Sequence, residues 1–319
     1  MNRFLKYTCI AALAISLWSC KKDDDVEIVP VRERQEVYDE NITKIESFLK
    51  STSITVDNEN NVTFDSITEG SSNTIWSQTQ YPLQYIEVKN DSRTTNKVDG
   101  LIKDPVTYKL YYLVINEGGG ENPITIDNVF TKYTGYNLNH NIFDKNDTGF
   151  WSGFPETIYT PSTVISGYRQ ILTKIKTATS ITENPDGTLV YNNPGRVIVF
   201  IPSGLGYFNS AQLNIPGYSP IIFDITLVSR VHADHDNDGL LSIYEDVNGN
   251  GDFWDDDTDN DGTPNFLDLD DDGDGYTTRE EITFKIDEGG VMVDELYPFD
   301  EIPNCANGTI KKHLDKNCH

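Results

Sequence analysis

Two groups of residues in this 319-residue sequence could do chemistry, and they are of opposite kinds. The first is rich in oxygen. Asp234-His235-Asp236-Asn237-Asp238-Gly239 continues to Glu245. That run puts oxygen donors at loop positions 1, 3 and 5, glycine at 6 and a bidentate acid at 12. The pattern returns from Asp246 through Asn248, Asn250 and Gly251 to Asp257, and from Asp257 through Asp259, Asp261 and Gly262 to Asp268. It returns again from Asp270 through Asp272, Asp274 and Gly275 to Glu281. Calcium is a hard cation that takes six to eight oxygens at about 2.3–2.6 Å, so this spacing predicts calcium binding. The second group is apolar: Tyr133-Thr134-Gly135, Phe143-Asp144, Val164-Ile165-Ser166-Gly167-Tyr168, Ile201-Pro202, Tyr207, Ile215-Pro216 and Phe223. It holds no Ser-His-Asp arrangement and no paired acids, so any reaction there must depend on an apolar environment and not on proton transfer.

In its order and spacing the second group resembles the prolyl-isomerase domain of the FKBP family, over about residues 106 to 231. The resemblance implies a twisted antiparallel sheet wrapped around one short helix, with the pocket between them. Tyr133 would stand in a pocket wall, with Phe143 and Asp144 following at the family's spacing. Val164 and Ile165 would lie at the rim, and Tyr168 on the floor, where the best-known members have tryptophan. Tyr207 would direct its hydroxyl across the mouth, Ile215 would cap a mobile loop, and Phe223 would close the base; Phe154 is a candidate for a further wall position. The implied activity is peptidyl-prolyl cis-trans isomerisation. Rotation about a peptide bond meets a barrier of about 18–20 kcal/mol because resonance is lost. The twisted amide is less polar than either planar form, so a dry pocket favours it, and no cofactor is required. Asp144 would interact with the displaced carbonyl and Tyr207 would hydrogen-bond the substrate backbone. Tyr168 in place of tryptophan, and an insertion over Thr182–Pro194, depart from the family. They leave open a non-catalytic FKBP-fold surface lipoprotein that binds peptides or mediates calcium-dependent adhesion.

The elements that must position these residues are those of an α+β fold. Tyr38, Ile42, Ile45 and Leu49 at helical spacing predict an amphipathic helix over 35–50. The polar stretch 51–99 reads as irregular structure or short strands. Tyr108, Leu110, Tyr112 and Val114 lie on one face of a strand that Tyr111 and Leu113 make apolar on both sides. Further strands are expected at 128–134 and 196–201, and a helix at 167–177 with Tyr168, Ile171, Leu172 and Ile175 facing a sheet. Phe223, Ile225 and Leu227 alternate with Asp224 and Thr226, as a half-solvated antiparallel strand should. The resulting organisation is a leader over 1–19, a tether over 20–33, a helical and irregular extension over 34–105, the isomerase-like domain over 106–232, the calcium loops over 233–282 and a tail over 283–319.

The acidic loops abut or share a residue, which leaves no room for a helix on each side, and they resemble the thrombospondin type-3 calcium array. From Asp234 to Glu281 there are 18 acidic residues against one basic residue, Arg279. Without metal such a segment repels itself, so calcium would fold it and serve a structural role. The formal net charge of the chain is −26, with no basic cluster to hold a phosphate backbone, and nucleic acid is excluded as a partner. At the other end, Arg3 and Lys6 precede an apolar run from Cys9 to Trp18 that is too short to span a bilayer. Leu17-Trp18-Ser19-Cys20 resembles a bacterial lipobox, which implies lipidation of Cys20 and a membrane partner reached through a lipid anchor. Cys305 and Cys318 remain, and in an oxidising compartment they are expected to pair. The expected location is the cell envelope, at the periplasmic or surface face of the outer membrane, and the expected partners are proline-containing peptides or unfolded protein segments.

Overall fold

Strand β4 (Tyr108–Asn116) is apolar on both sides, and much of the architecture follows from that. It sends Tyr108, Leu110 and Tyr112 into one core and Tyr111 and Leu113 into another. Strand β9 (Gly195–Ile201) does the same, with Val197, Val199 and Ile201 opposite Ile198 and Phe200. A strand buried on both faces needs a packed layer on each. In the computed structural model, which describes residues 30–306 and 308–318, both layers are helical. The expected leader and Cys20 lie outside the described residues. Residues 33–319 form one unit.

The two strands sit in a six-stranded sheet of order β3-β4-β9-β10-β5-β6, antiparallel at every pairing. The other members are β3 (Gln84–Val88), β5 (Asn128–Asn137), β6 (Ile142–Ser152) and β10 (Ile221–Val231). Helix α1 (Arg34–Ser51) covers one face with Ile45, Phe48 and Leu49. Helix α2 (Ser166–Leu172) covers the other with Tyr168, Ile171 and Leu172. The polar stretch behind α1 contributes the hairpin β1 (Thr52–Val56) and β2 (Val62–Ser66), and also the edge strand β3. The fold is thus mainly antiparallel sheet with few helices. No helix among the described residues is long and apolar enough to cross a membrane.

Helix α1 also holds the loop that follows β9. Buried Asn41 donates from Nδ2 to the Tyr218 carbonyl (3.0 Å) and accepts from the Ser203 N–H (2.7 Å). These contacts fix both ends of the segment that carries Tyr207 and Ile215. Asn41→Ala leaves a buried N–H and a carbonyl without their partner. It is expected to lower stability by about 1–3 kcal/mol, seen as a lower urea midpoint at unchanged slope.

Two local expectations are corrected. Helix α2 stops at Leu172 instead of reaching Thr177, because the backbone donors beyond it are claimed elsewhere: Lys176 N–H by the Glu117 carbonyl (2.7 Å) and Thr177 N–H by the Glu121 carbonyl (2.9 Å). Asp224 is buried rather than half-solvated. Arg196 reaches it with Nε at 2.8 Å and Nη2 at 2.7 Å, a bidentate pair in which the charge is compensated at the point of burial. The insertion forms a hairpin of β7 (Ser180–Glu183) and β8 (Leu189–Asn192) that stands apart from the main sheet. Past the acidic loops come a short helix α3 (Thr278–Glu281), the hairpin β11 (Thr283–Asp287) and β12 (Met292–Leu296), and a Cys305–Cys318 disulfide with Cα atoms 5.8 Å apart.

Candidate functional site

The apolar set from Tyr133 to Phe223 gathers around one ring. Phe223 on β10 makes edge-to-face contacts with Tyr133 (5.4 Å between centroids), Phe143 (5.5 Å) and Tyr168 (5.3 Å). Such pairs contribute about 0.5–1.5 kcal/mol each beyond the area they bury. Strand pairing sets this up. Phe223 lies opposite Gly135, and Gly135 lies opposite Asp144. The Phe143 ring rests over Gly135, where a Cβ would come within 2.5 Å of it, so only glycine allows the approach. Gly167 serves α2 in the same way, since a Cβ there would meet Ile201 at 2.7 Å.

Tyr168 is buried, and its hydroxyl donates to the Thr131 hydroxyl at 2.9 Å. The floor position can therefore carry a phenol, because the sheet supplies a partner for it. Tyr133 donates to Asp144 Oδ2 at 2.6 Å, while Asp144 Oδ1 accepts from the Lys145 N–H at 2.9 Å. Burial and the adjacent carboxylate push the Tyr133 phenol up, and burial with Asp144 nearby raises Tyr207 as well. Both phenols stay protonated; the Tyr133 proton is given to Asp144, which leaves the Tyr207 hydroxyl as the donor for a ligand. Val164, Ile165 and Tyr207 pack half-buried against the cluster, and Ile215 is buried within it. Phe154 is not part of this group; it lies on the far side of α2, against Trp254.

Sequence reasoning overlooked Arg169. Its guanidinium lies buried on α2, donates to the Val164 carbonyl, pairs with Asp91 at 2.6 Å and stacks over Phe154 at 3.7 Å. It thereby fixes the rim residue Val164 from behind. Arg169 as the one charged residue of the short helix Ser166–Leu172 was the available signal.

The four acidic loops share one backbone design. The first aspartate of each accepts from the N–H of the glycine five residues on, at 3.1 Å in Gly239, 2.8 Å in Gly251, 3.0 Å in Gly262 and 3.0 Å in Gly275. Those glycines have φ of 103°, 81°, 88° and 95°, which side chains rarely adopt. Carboxylates converge within 4.8 Å in Asp234-Asp236-Asp238, Asp257-Asp259-Asp261 and Asp270-Asp272-Asp274. The second loop differs. Its Asn248 amide donates to Asp255 and Asp256, and its Asn250 amide to Asp255, while Asp257 groups with the third loop.

Several buried oxygens in the loops accept no hydrogen bond: Asp236 Oδ2, Asp238 Oδ2, Asp257 Oδ1, Asp272 Oδ2, Glu281 Oε1 and both oxygens of Glu245. Burial and neighbouring acids push the carboxyls of Asp236, Asp238 and Glu245 well above the usual range, and burial with Asp272 and Asp274 raises Glu281 to about 8. Buried acids without donors cost free energy unless a cation or proton joins them. The donor set is all oxygen, which fits calcium and suits neither zinc nor copper. Asp234, Asp236, Asp238, Glu245, Asp246, Asn248, Asn250, Asp257, Asp259, Asp261, Asp268, Asp270, Asp272, Asp274 and Glu281 are the residues that would hold it.

The loops are docked on segments that flank the sheet. Trp254 meets Phe154 at 5.9 Å and Phe266 at 4.9 Å, and the Arg93 guanidinium lies over the Trp254 ring at 3.4 Å. Phe253 and Phe266 pack with Ile126 ahead of β5. Thr157 donates to the His235 carbonyl (3.0 Å), and the Val98 N–H to the Gly262 carbonyl (3.0 Å).

A family model described as BamM C-terminal matches residues 235–312, the loops and most of the tail. Similar solved structures include a peptidyl-prolyl cis-trans isomerase from Pseudomonas syringae pv. tomato, at 20% identity and TM-score 0.29, covering 43% of this chain and 79% of that one. FkpA from Escherichia coli is 25% identical with TM-score 0.29, over 38% of this chain and 47% of its own. The three FKBP domains of a wheat protein give 22% identity and TM-score 0.30, over 38% and 46%. The chain thus spans about half the length of the latter two. No curated protein matches the chain. These likenesses are partial, and the functional reading rests on the geometry of the cluster.

Proposed function

We propose that this protein is an envelope-anchored peptidyl-prolyl cis-trans isomerase that acts on X-Pro bonds of exported proteins and carries a structural calcium module resembling the thrombospondin type-3 array. The observation that bears most weight is the convergence of Tyr133, Phe143, Tyr168 and Phe223, edge to face, beneath a carboxylate and two phenols that remain protonated. An X-Pro segment laid against the half-buried Tyr133, Phe143, Val164, Ile165 and Tyr207, with Tyr168 and Phe223 buried behind them, leaves water, and the twisted amide loses less by that transfer than the planar one. Asp144 stands where the rotating carbonyl carbon would feel its charge, and Tyr207 offers a donor to the substrate backbone. The lipobox-like Leu17-Trp18-Ser19-Cys20 supports an envelope location, with Cys20 supplying the lipid anchor.

The test is the exchange rate of a short peptide with an apolar residue before proline, a reaction that takes tens to hundreds of seconds unaided. The wild type is expected to accelerate it. Asp144→Ala and Tyr207→Phe are each expected to lose about tenfold, the equivalent of about 1.4 kcal/mol at the transition state. One observation favours a second reading: both Asp144 oxygens are already engaged within the chain. If the wild type shows no rate above background, that reading stands, and the surface is a peptide-binding one without catalysis.

A further inference from the structure

Asp271 breaks the repeat that the loops otherwise keep. In three of them, the residue after the first aspartate turns its N–H to a side chain seven positions on. His235 donates to Ser242 Oγ (3.3 Å), Thr258 to Asn265 Oδ1 (2.9 Å) and Asp271 to Thr278 Oγ1 (3.3 Å). The first two side chains each meet the residue seven positions on: His235 Nδ1 pairs with Ser242 Oγ at 2.8 Å, its Nε2 being buried without a partner, and Thr258 Oγ1 accepts from Asn265 Nδ2 at 2.9 Å. At the third stands a carboxylate, 2% exposed, with no hydrogen bond to either oxygen.

That carboxylate faces another loop. One oxygen each from Asp271, Asp238 and Glu245 lie within 4.8 Å of one another. Glu245 is 2% exposed with both oxygens unpartnered, and Asp238 is fully buried with Oδ2 unpartnered. Arg279, the basic residue of the segment, reaches the Asp238 backbone carbonyl at 3.4 Å. Two ligands on opposite sides of a calcium ion stand at most about 4.8 Å apart, twice a typical Ca–O distance of about 2.4 Å. The three oxygens therefore fit around a single ion.

We infer that Asp238, Glu245 and Asp271 form a second calcium position beside the Asp234-Asp236-Asp238 group, with Asp238 and Glu245, the fifth and twelfth positions of the first loop, serving both, so that one ion clasps the first loop to the fourth. The inference rests on the calcium reading of the loops and adds to it a ligand that loop spacing does not assign. Its physical content is a closure. The chain between Asp238 and Asp271 becomes a ring shut by the ion, which adds to the small Phe253-Trp254-Phe266 cluster in holding the loops between.

The test uses the full chain, with calcium stoichiometry measured by titration calorimetry and thermal midpoints measured with and without a chelator. Asp271→Asn keeps shape and removes charge; Asp271→Thr copies the residue at this place in the third loop. Both are expected to bind one calcium fewer per chain. In chelator, where the segment has lost its order, both should melt with wild type, and in calcium both should melt lower. This dependence on calcium separates a ligand from a packing residue. Lower midpoints in both conditions, or wild-type stoichiometry and affinity in both variants, would overturn the clasp while leaving the other loops as calcium sites. Wild type that takes up no calcium would overturn the loop reading and the clasp together.

Discussion

Removing calcium with a chelator at neutral pH is expected to abolish the order of residues 234–281 while leaving the six-stranded sheet folded. The segment holds 18 acidic residues against one arginine, and several of its buried carboxylate oxygens accept no hydrogen bond. At an effective dielectric of about 20, two charges 4 Å apart repel by about 4 kcal/mol. Several such pairs exceed anything Phe253, Trp254 and Phe266 supply by packing. Each bound ion at a hundred times its Kd returns about 2.7 kcal/mol. Amide hydrogen exchange is the suitable readout. Protection should vanish at Gly239, Gly262 and Gly275, whose N–H groups are held by loop aspartates, and persist in β4, β9 and β10. Unchanged protection of those glycines in chelator would count against calcium as the element that folds them.

The largest single-residue effect is expected at Phe223. It joins the three rings of the candidate site and is 4% exposed, on a strand bonded to a neighbour on each side. Phe223→Ala removes three edge-to-face contacts and opens a cavity that Tyr133, Phe143 and Tyr168 cannot close while strand pairing holds them. Destabilisation of about 3–5 kcal/mol is expected from equilibrium unfolding, together with loss of isomerisation beyond that of Asp144→Ala. A loss below about 1 kcal/mol would mean that the rings repack, and the cluster would not be the fixed surface described above.

Much of this arrangement could be read from residue types, and what could not shares a cause. The helix of Tyr38, Ile42, Ile45 and Leu49 was evident from its period, and Tyr111 and Leu113 signalled a strand with two buried faces. That the helix covers the second face required the two observations to be joined across about sixty residues, and spacing alone does not join them. Asp224 read as a solvated position because its compensating charge, Arg196, lies on the neighbouring strand. Helix α2 ended early because residues 117–121, far back in the chain, took its next donors. Asp271 was not recognisable as a ligand, since loop positions 1, 3, 5 and 12 describe a single loop and its partners belong to another. In each case short-range periodicity was sound, and the deciding neighbour came from elsewhere.

Arg93, Trp254, Phe154 and Arg169 form a column in which each arginine lies over a ring and Trp254 meets Phe154 at a tilt of 52°, and Arg169 ends on the Val164 carbonyl beside the aromatic cluster. One plate of that column, Trp254, is supplied by the acidic loops. A chain cut after Val231 would lose this plate, wet the Phe154 ring from one side and leave Arg169 leaning on a surface no longer backed. A shortened protein of that kind would present a differently tensioned doorway to its peptide, so rates measured on it would describe the fragment and not the whole molecule.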